Sequence, residues 1–356
     1  MSRKYSPVLI HSCLIPLLII LILGHFAESV AREMRTVTDR TGRTVQVPAD
    51  PKRIACFFGP SYEKAFLFGF GDRVAAMSIK QTPWAHKLNP ALKKVVIMPS
   101  YSDPDTEKML QLGIDLVFYW QWAQQTQKMK AAGIPVVCPM DVSASPSTRE
   151  AFIQRYKDDI RFYGEALGPK ARKIAEDYCR YYDKKINGVL EVTKKIPAAS
   201  RPSVYYIIGK NAFSTQGKNS LAYWLVEMAG GNLVSKELGP GFADASMEQI
   251  IAWNPEVIVI CGTLSADSIL SDPRWKSIRA IRNRKVFSCP EGVFLWGHGS
   301  SEVHLFVMWF AKILHPDRFQ SLQIEREIKN YYSRFYHYKL TDDDVQRILK
   351  RLPPAS

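Results

Sequence analysis

The chain is poor in the features that would name its chemistry outright. It holds 6 cysteines in 356 residues, none in a C-x-x-C spacing, so a zinc ribbon is excluded. Beyond the first two dozen residues no apolar stretch is long enough to cross a bilayer, and no low-complexity tract interrupts the sequence. Long Lys/Arg runs are missing, although the formal net charge is +14. That balance favours anionic partners, yet without a basic run it gives no nucleic-acid signature.

What is present begins with a leader. Arg3 and Lys4 precede an apolar run from Val8 to Leu23, and Ser29-Val30-Ala31 supplies small residues where a signal peptidase cuts, so cleavage after Ala31 is expected. A retained membrane anchor is the alternative. Cys13 lies ahead of most of the apolar run, which argues against lipid attachment at a cysteine after the leader. The mature chain would keep five cysteines, Cys56, Cys138, Cys179, Cys261 and Cys289. The first two end apolar runs and read as buried thiols. A bridge between Cys261 and Cys289 stays open, because both close strand-like runs.

Short apolar runs then alternate with helical patterns, as in a parallel α/β sheet. The strand candidates are 53–58, 73–79, 115–120 and 134–139 in the first half, and 203–208, 256–261 and 285–290 in the second. Helices are expected at 61–68, 105–112 and 122–132, then at 220–230, 247–254 and 273–281. Asp105 is a candidate cap and Gly113 and Gly133 are candidate stops. Between the halves, 148–195 has almost no strand signal. From Pro169 onward, Ile174, Tyr178, Tyr181, Tyr182, Ile186, Val189 and Val192 recur at three- and four-residue spacing, the mark of one long amphipathic helix. The expected organisation is a leader at 1–31, an N-terminal α/β lobe at 32–147, a helical linker at 148–199, a C-terminal α/β lobe at 200–315 and C-terminal helices at 316–356, with a helix start at Leu340-Thr341-Asp342.

The densest cluster of chemistry-bearing residues is CPEGVFLWGHGSSEVHLF, Cys289 to Phe306. Three readings compete with a plain loop-to-helix junction. A nucleophile is disfavoured, since GHGSSE lacks the G-x-S-x-G elbow that exposes a serine on a strand-to-helix turn. A protein-ligated metal would need His298, Glu302 and His304 together, and His304 cannot share a helical face with the other two. The third reading makes the stretch a cleft lip on the loop leaving a strand, where open α/β sheets collect ligands. On that reading Ser300 or Ser301 caps the following helix.

The runs TVTDRTGRTVQVPADPKRI, GFGDRVAAMSI, DTEKMLQLGIDLVFYW, MKAAGIPVV, ASMEQIIAWNPEVIVI, DPRWKSIRAIRNRKVF and HPDRF resemble the periplasmic binding proteins that serve ABC importers of iron–siderophores, haem and cobalamin. The resemblance extends from about Thr36 to Phe319. It implies two doubly wound α/β lobes joined by one long α-helix, facing each other across a ligand cleft and moving little on binding. It also implies a periplasmic, non-catalytic receptor whose partners are a small-molecule ligand and the permease dimer of an importer. No cofactor and no protein-ligated metal are expected, and no membrane insertion after cleavage.

Strand-end loops of such lobes place Phe58, Ser61, Tyr62, Lys80, Trp84, Tyr101, Trp120 and Trp122 on one lip, and Lys210, Asn211, Phe242, Trp296 and His298 on the other. Aromatics interleaved with basic groups suit a bulky anionic metal chelate held by stacking and charge. A molybdate or tungstate receptor of the same fold is the alternative, because some members share the KQ-x-x-W segment (Lys80 to Trp84) and the Trp-containing terminal loop. Cobalamin and haem remain further candidates. The resemblance finally implies an acidic docking residue on each lobe, Glu107 and Glu248, whose other role is to complement the positive end of a helix.

Overall fold

Residues 33–140 and 145–355 are described by the computed structural model. The expected leader, its cleavage after Ala31 and the alternative of a retained anchor lie outside them. The first elements are an antiparallel hairpin of β1 (Met34–Thr38) and β2 (Thr44–Pro48). Then β3 (Ile54–Cys56), β4 (Val74–Met77), β5 (Val96–Ile97), β6 (Leu116–Phe118) and β7 (Val136–Val137) form a parallel sheet in the order β5-β4-β3-β6-β7. The interleaved helices are α1 (Ser61–Leu67), α2 (Pro83–Leu88), α3 (Thr106–Gln111) and α4 (Ala123–Ala131). Asp105 caps α3 by accepting the Lys108 N–H at 2.9 Å. Gly113 and Gly133 take φ of +64° and +78° after α3 and α4, as a helix stop requires.

The linker is a helical hairpin. Helix α5 (Arg149–Leu167) precedes α6 (Pro169–Thr193), which is the 25-residue helix expected from the apolar periodicity. Gly168 turns between them at φ +111°, where an added Cβ would sit 2.8 Å from the Ala49 carbonyl. Both helices span the lobes. The entry to α5 is tied to the C-terminal lobe by Trp224 Nε1 donating to Pro146 O at 3.1 Å and by the Arg149–Glu227 ion pair at 3.4 Å. Its far end meets the N-terminal hairpin, where Arg35 donates to Ala166 O at 2.7 Å. Helix α6 then returns, and Thr193 Oγ1 donates to Met228 O at 3.0 Å. The spanning element is therefore a pair of antiparallel helices, and the expected long helix is its second member.

The second lobe is built on β8 (Ser203–Ile207), β9 (Ser214–Gln216), β10 (Asn232–Leu233), β11 (Phe242–Asp244), β12 (Val257–Ile260) and β13 (Val286–Ser288). Four of these form a parallel sheet in the order β10-β8-β12-β13, while β9 and β11 pair antiparallel at the cleft end. Its helices are α7 (Leu221–Met228), α8 (Met247–Trp253), α9 (Ala266–Leu270), α10 (Arg279–Arg282) and α11 (Val303–Leu314), followed by α12 (Ile324–Phe335) and α13 (Asp342–Leu349). The helix expected over 273–281 is instead a 3-10 turn, Pro273–Trp275, and the short α10. Asp272 accepts the Arg274 N–H and Trp275 is fully buried, so the chain turns there rather than extending. Thr341 caps α13 in a reciprocal box with Asp344, as the Leu340-Thr341-Asp342 signal predicts.

Alternation along each strand sorts the core into layers. Ala55 faces a small cluster with Val117 and Met129, and Tyr205 faces another with Ile258 and Trp275. Ile54 and Cys56 instead join one large cluster that runs through α5 and α6 into α11, α12 and α13. The two lobes share that core. None of the helices among the described residues is long and apolar enough to cross a membrane.

Candidate functional site

A cavity of about 570 Å³ opens between the lobes, large enough for a small organic ligand or a chelate. Its first wall comes from loops at the carboxyl ends of β3, β4 and β6, with Phe58, Pro60, Ile79 and Trp120. Its second wall comes from the C-terminal lobe, with Ile208, Gln216, Asn219, Phe242, Phe294 and His298. Helix α5 forms the floor, presenting Phe152, Arg155, Tyr156, Asp159, Ile160 and Tyr163 at three- and four-residue spacing.

Rings dominate one side of the mouth. Phe58 meets Trp120 edge-on at 4.6 Å, Trp120 stacks on Trp122 at 5.9 Å, and Trp122 reaches Tyr101 at 5.8 Å. Phe242 stands opposite and is 72% exposed, an unusual cost for a phenyl ring unless a ligand covers it. Charge lies deeper. Arg155 and Asp159 sit one helical turn apart, and Asp159 accepts from Arg40 Nε at 2.8 Å. Burial pushes the Asp159 carboxyl up to about 6, with Arg40 opposing the shift. Burial also lowers the pKa of His298, which favours a neutral ring at pH 7, and its Nδ1 has no hydrogen-bond partner. Lys64 closes the inner corner, donating to Glu63 Oε2 at 2.8 Å and to Gly299 O at 3.1 Å.

The segment 289–306 plays two parts. His298 and Gly299 are cavity wall, and the residues after them fasten the lobes together. Ser301 N–H donates to Glu63 Oε2 at 3.0 Å, its hydroxyl bonds the other oxygen, and Tyr336 OH donates to that same oxygen at 2.7 Å. Tyr332 OH and Phe294 N–H donate to the two oxygens of Glu302 at 2.5 and 3.0 Å. Tyr156 OH donates to Ser300 O at 2.7 Å and Tyr178 OH to Ser301 O at 2.5 Å. Helix α11 starts at Val303 with no side-chain cap at its N-cap, Glu302; of the two serines expected to cap it, Ser301 is spent on Glu63, while Ser300 Oγ accepts the Glu302 N–H at 3.2 Å. Both serines are fully buried, so neither is placed to attack a ligand. His304 donates from Nδ1 to Ser301 O at 3.1 Å, and burial lowers its pKa to about 3. No His/Cys/Asp/Glu cluster of metal-binding geometry occurs among the described residues.

The expected lip residues divide by burial. Phe58, Trp120, Phe242 and His298 line the cavity, with Trp122 and Tyr101 continuing the ring series outside it. Ser61 and Tyr62 turn into the core instead, where Ser61 Oγ pairs with Tyr163 OH at 2.8 Å and Tyr62 OH accepts from Asn89 at 3.2 Å. Trp84 is also core, its Nε1 donating to Leu352 O at 2.9 Å, and Trp296 is fully buried beneath the loop. Lys80, Lys210 and Asn211 are exposed and do not line the cavity; Asn211 instead closes a turn by accepting the Phe213 N–H at 2.8 Å. Glu107 and Glu248 are exposed in the first turns of α3 and α8. The α5 floor was missed. The stripe Phe152, Tyr156, Ile160, Tyr163 carrying Arg155 and Asp159 within it was the available signal.

A family model described as periplasmic binding protein matches residues 54–293. The molybdate-binding protein MolA of Haemophilus influenzae is 24% identical, over 93% of this chain and 99% of that one. The structure of that protein bound to molybdate superposes with a TM-score of 0.78 at 22% identity, covering 86% and 99%. A periplasmic solute binding protein from Veillonella parvula gives a TM-score of 0.73 at 24% identity, over 89% and 97%.

Proposed function

The chain belongs to the periplasmic binding protein family, and we propose that its inter-lobe cavity captures an anionic metal chelate, an iron–siderophore in the first instance, for delivery to an ABC importer. The observation that carries the reading is the series of rings at the mouth, with Trp122, Tyr101 and Phe242 exposed, set above Arg155 further in. Rings stack on the organic envelope of a chelate while a guanidinium answers its charge. The receptor is non-catalytic on this reading, so a bound chelate should come off unchanged.

A molybdate-type oxyanion is the second reading, favoured by the molybdate-binding relative aligned over nearly its whole length. The two differ in which wall matters. For a chelate, Trp120→Ala and Phe242→Ala should each weaken binding about tenfold, the scale of a lost aromatic contact. For an oxyanion both changes should matter little, while Arg155→Ala should cost roughly ten- to a hundredfold, as for a hydrogen bond to a charged group. Tryptophan fluorescence titration of ferric siderophores, haem, cobalamin and molybdate measures all three variants. Indifference of every ligand to all three changes would place the site elsewhere.

Delivery requires docking. Glu107 and Glu248 stand at matching points of the two lobes, each early in the helix that precedes a central strand, and we assign them to contacts with basic groups on two permease subunits. Periplasmic release through the leader expected at 1–31 belongs to the same reading. Replacing both glutamates by Ala should leave ligand affinity unchanged and lower ligand-stimulated ATP hydrolysis by the reconstituted importer several-fold. Added salt should weaken the wild-type association, since exposed ion pairs are screened. Stimulation equal to wild type would reduce the two glutamates to helix-end charges.

A further inference from the structure

Cys261 and Cys289 directly follow β12 and β13, adjacent parallel strands whose register pairs Ile260 with Ser288. One step further along both strands sets the cysteines side by side, with Cys289 N–H donating to Ile260 O at 2.9 Å. Neighbouring strands lie about 4.7–4.9 Å apart, and a disulfide spans Cα separations of roughly 4.4–6.8 Å. Both thiols are fully buried, and Cys289 is among the groups that raise the Cys261 pKa. Both also touch one residue of the cavity loop. Gly297 N–H donates to Cys289 Sγ at 3.3 Å, and a Cβ at Gly297 would lie 2.6 Å from Cys261 Sγ. His298, the next residue, faces the cavity.

We infer that the exported protein carries a Cys261–Cys289 disulfide that forms as the C-terminal lobe folds and underpins the His298 loop. The structure describes the dithiol form. The oxidant is an exported thiol oxidase, a protein bearing a reactive disulfide. One cysteine thiolate attacks that disulfide to give a mixed disulfide, and the second thiolate displaces the oxidase sulfur. Two S–H bonds are lost, one S–S bond forms, and the two electrons and two protons leave on the oxidase as its dithiol. Burial pushes the Cys261 thiol up and closes access once the lobe has packed, so the bond is made early and is then protected. The oxidising compartment follows from the periplasmic reading above, on which this step rests.

The chain expressed from Met1 in a Gram-negative host should be fractionated, denatured, alkylated without reductant and peptide-mapped. The expected result is a periplasmic protein in which the peptides holding Cys261 and Cys289 are linked while Cys56, Cys138 and Cys179 are alkylated. Recovery from the cytoplasm would overturn the export reading and leave the disulfide to a second arm. In that arm the reduced, denatured chain is refolded in a mixture of reduced and oxidised glutathione and mapped in the same way. Free Cys261 and Cys289 in periplasmic or refolded protein overturns the inference. As an independent readout, reductant should lower the thermal midpoint of the wild type by about 5–10 °C, the scale expected for a bridge closing a loop of this length. Reductant should leave Cys289→Ala unmoved, and an equal response of both proteins counts against the bond.

Discussion

Replacing Glu63 with Ala should remove about 3–5 kcal/mol of stability, a large share of the roughly 5–15 kcal/mol that holds a typical domain folded. Lys64 has 4% of its side chain exposed and is ion-paired with Glu63 in the space between the lobes. Without the carboxylate a buried ammonium loses its counter-charge, keeping only the Gly299 carbonyl. The Ser301 N–H and the Tyr336 hydroxyl lose an acceptor at the same stroke. Urea unfolding followed by tryptophan fluorescence measures the loss as a lower midpoint at an unchanged slope. Pairing the change with Lys64→Met removes the stranded charge and should recover part of the loss. A single-variant cost below about 1 kcal/mol would mean that water reaches Lys64 and that the lobes are joined mainly by apolar packing.

The second large effect is on the dependence of stability on pH. Burial pushes the Glu302 carboxyl from its ordinary 4.5 up to about 8, with the charge of Glu63 nearby acting in the same direction and the Tyr332 and Phe294 bonds opposing it. Between those values the folded chain holds a proton that the unfolded chain has released. Stability from this group is therefore fully present below about pH 4.5 and is lost as pH rises towards 8. One proton changes the folding constant by up to about tenfold per pH unit. Glu302→Gln cannot titrate, so the difference between wild type and variant should slope across this window and level off above it. Thermal melts at half-unit steps from pH 5 to 9 supply the comparison. Parallel curves would show that Glu302 is ionised in the folded protein.

What could be read from residues alone was whatever depends on near neighbours in the chain. Strand runs such as EVIVIC and SVYYII are buried on both faces and carry the apolar signature of a parallel sheet. Asp105 and Thr341 begin their helices because an N-cap interacts with a residue three places on. The site was harder, because a loop leaving a strand passes both the cleft and the core. Phe58 and Ser61 are three residues apart, yet one faces ligand space and the other meets Tyr163. Trp84 is drawn inward by a partner that periodicity does not reveal, a carbonyl at the far end of the chain, and Trp296 packs into the large shared core. Glu63 and Ser301 are 238 positions apart, so the join between the lobes has no local signature. The tract read as a cleft lip supplies Phe294, His298 and Gly299 to the cavity, and its remaining residues are structural because groups this remote converge on them.

Two helices crossing between the lobes in opposite directions, packed within one undivided core, have a consequence for kinetics. A hinged receptor must first visit a competent conformer, and its apparent affinity is divided by the fraction of time spent there. A join of this kind should hold the walls in place before the ligand arrives, so that fraction should be close to one and association limited by diffusion and charge steering; an unchanged small-angle scattering profile on adding ligand is the expected result. On that expectation the importer would meet nearly the same silhouette whether or not the receptor is loaded. Discrimination between loaded and empty receptor would then come from the ligand itself at the mouth, or from the rings and loops it touches.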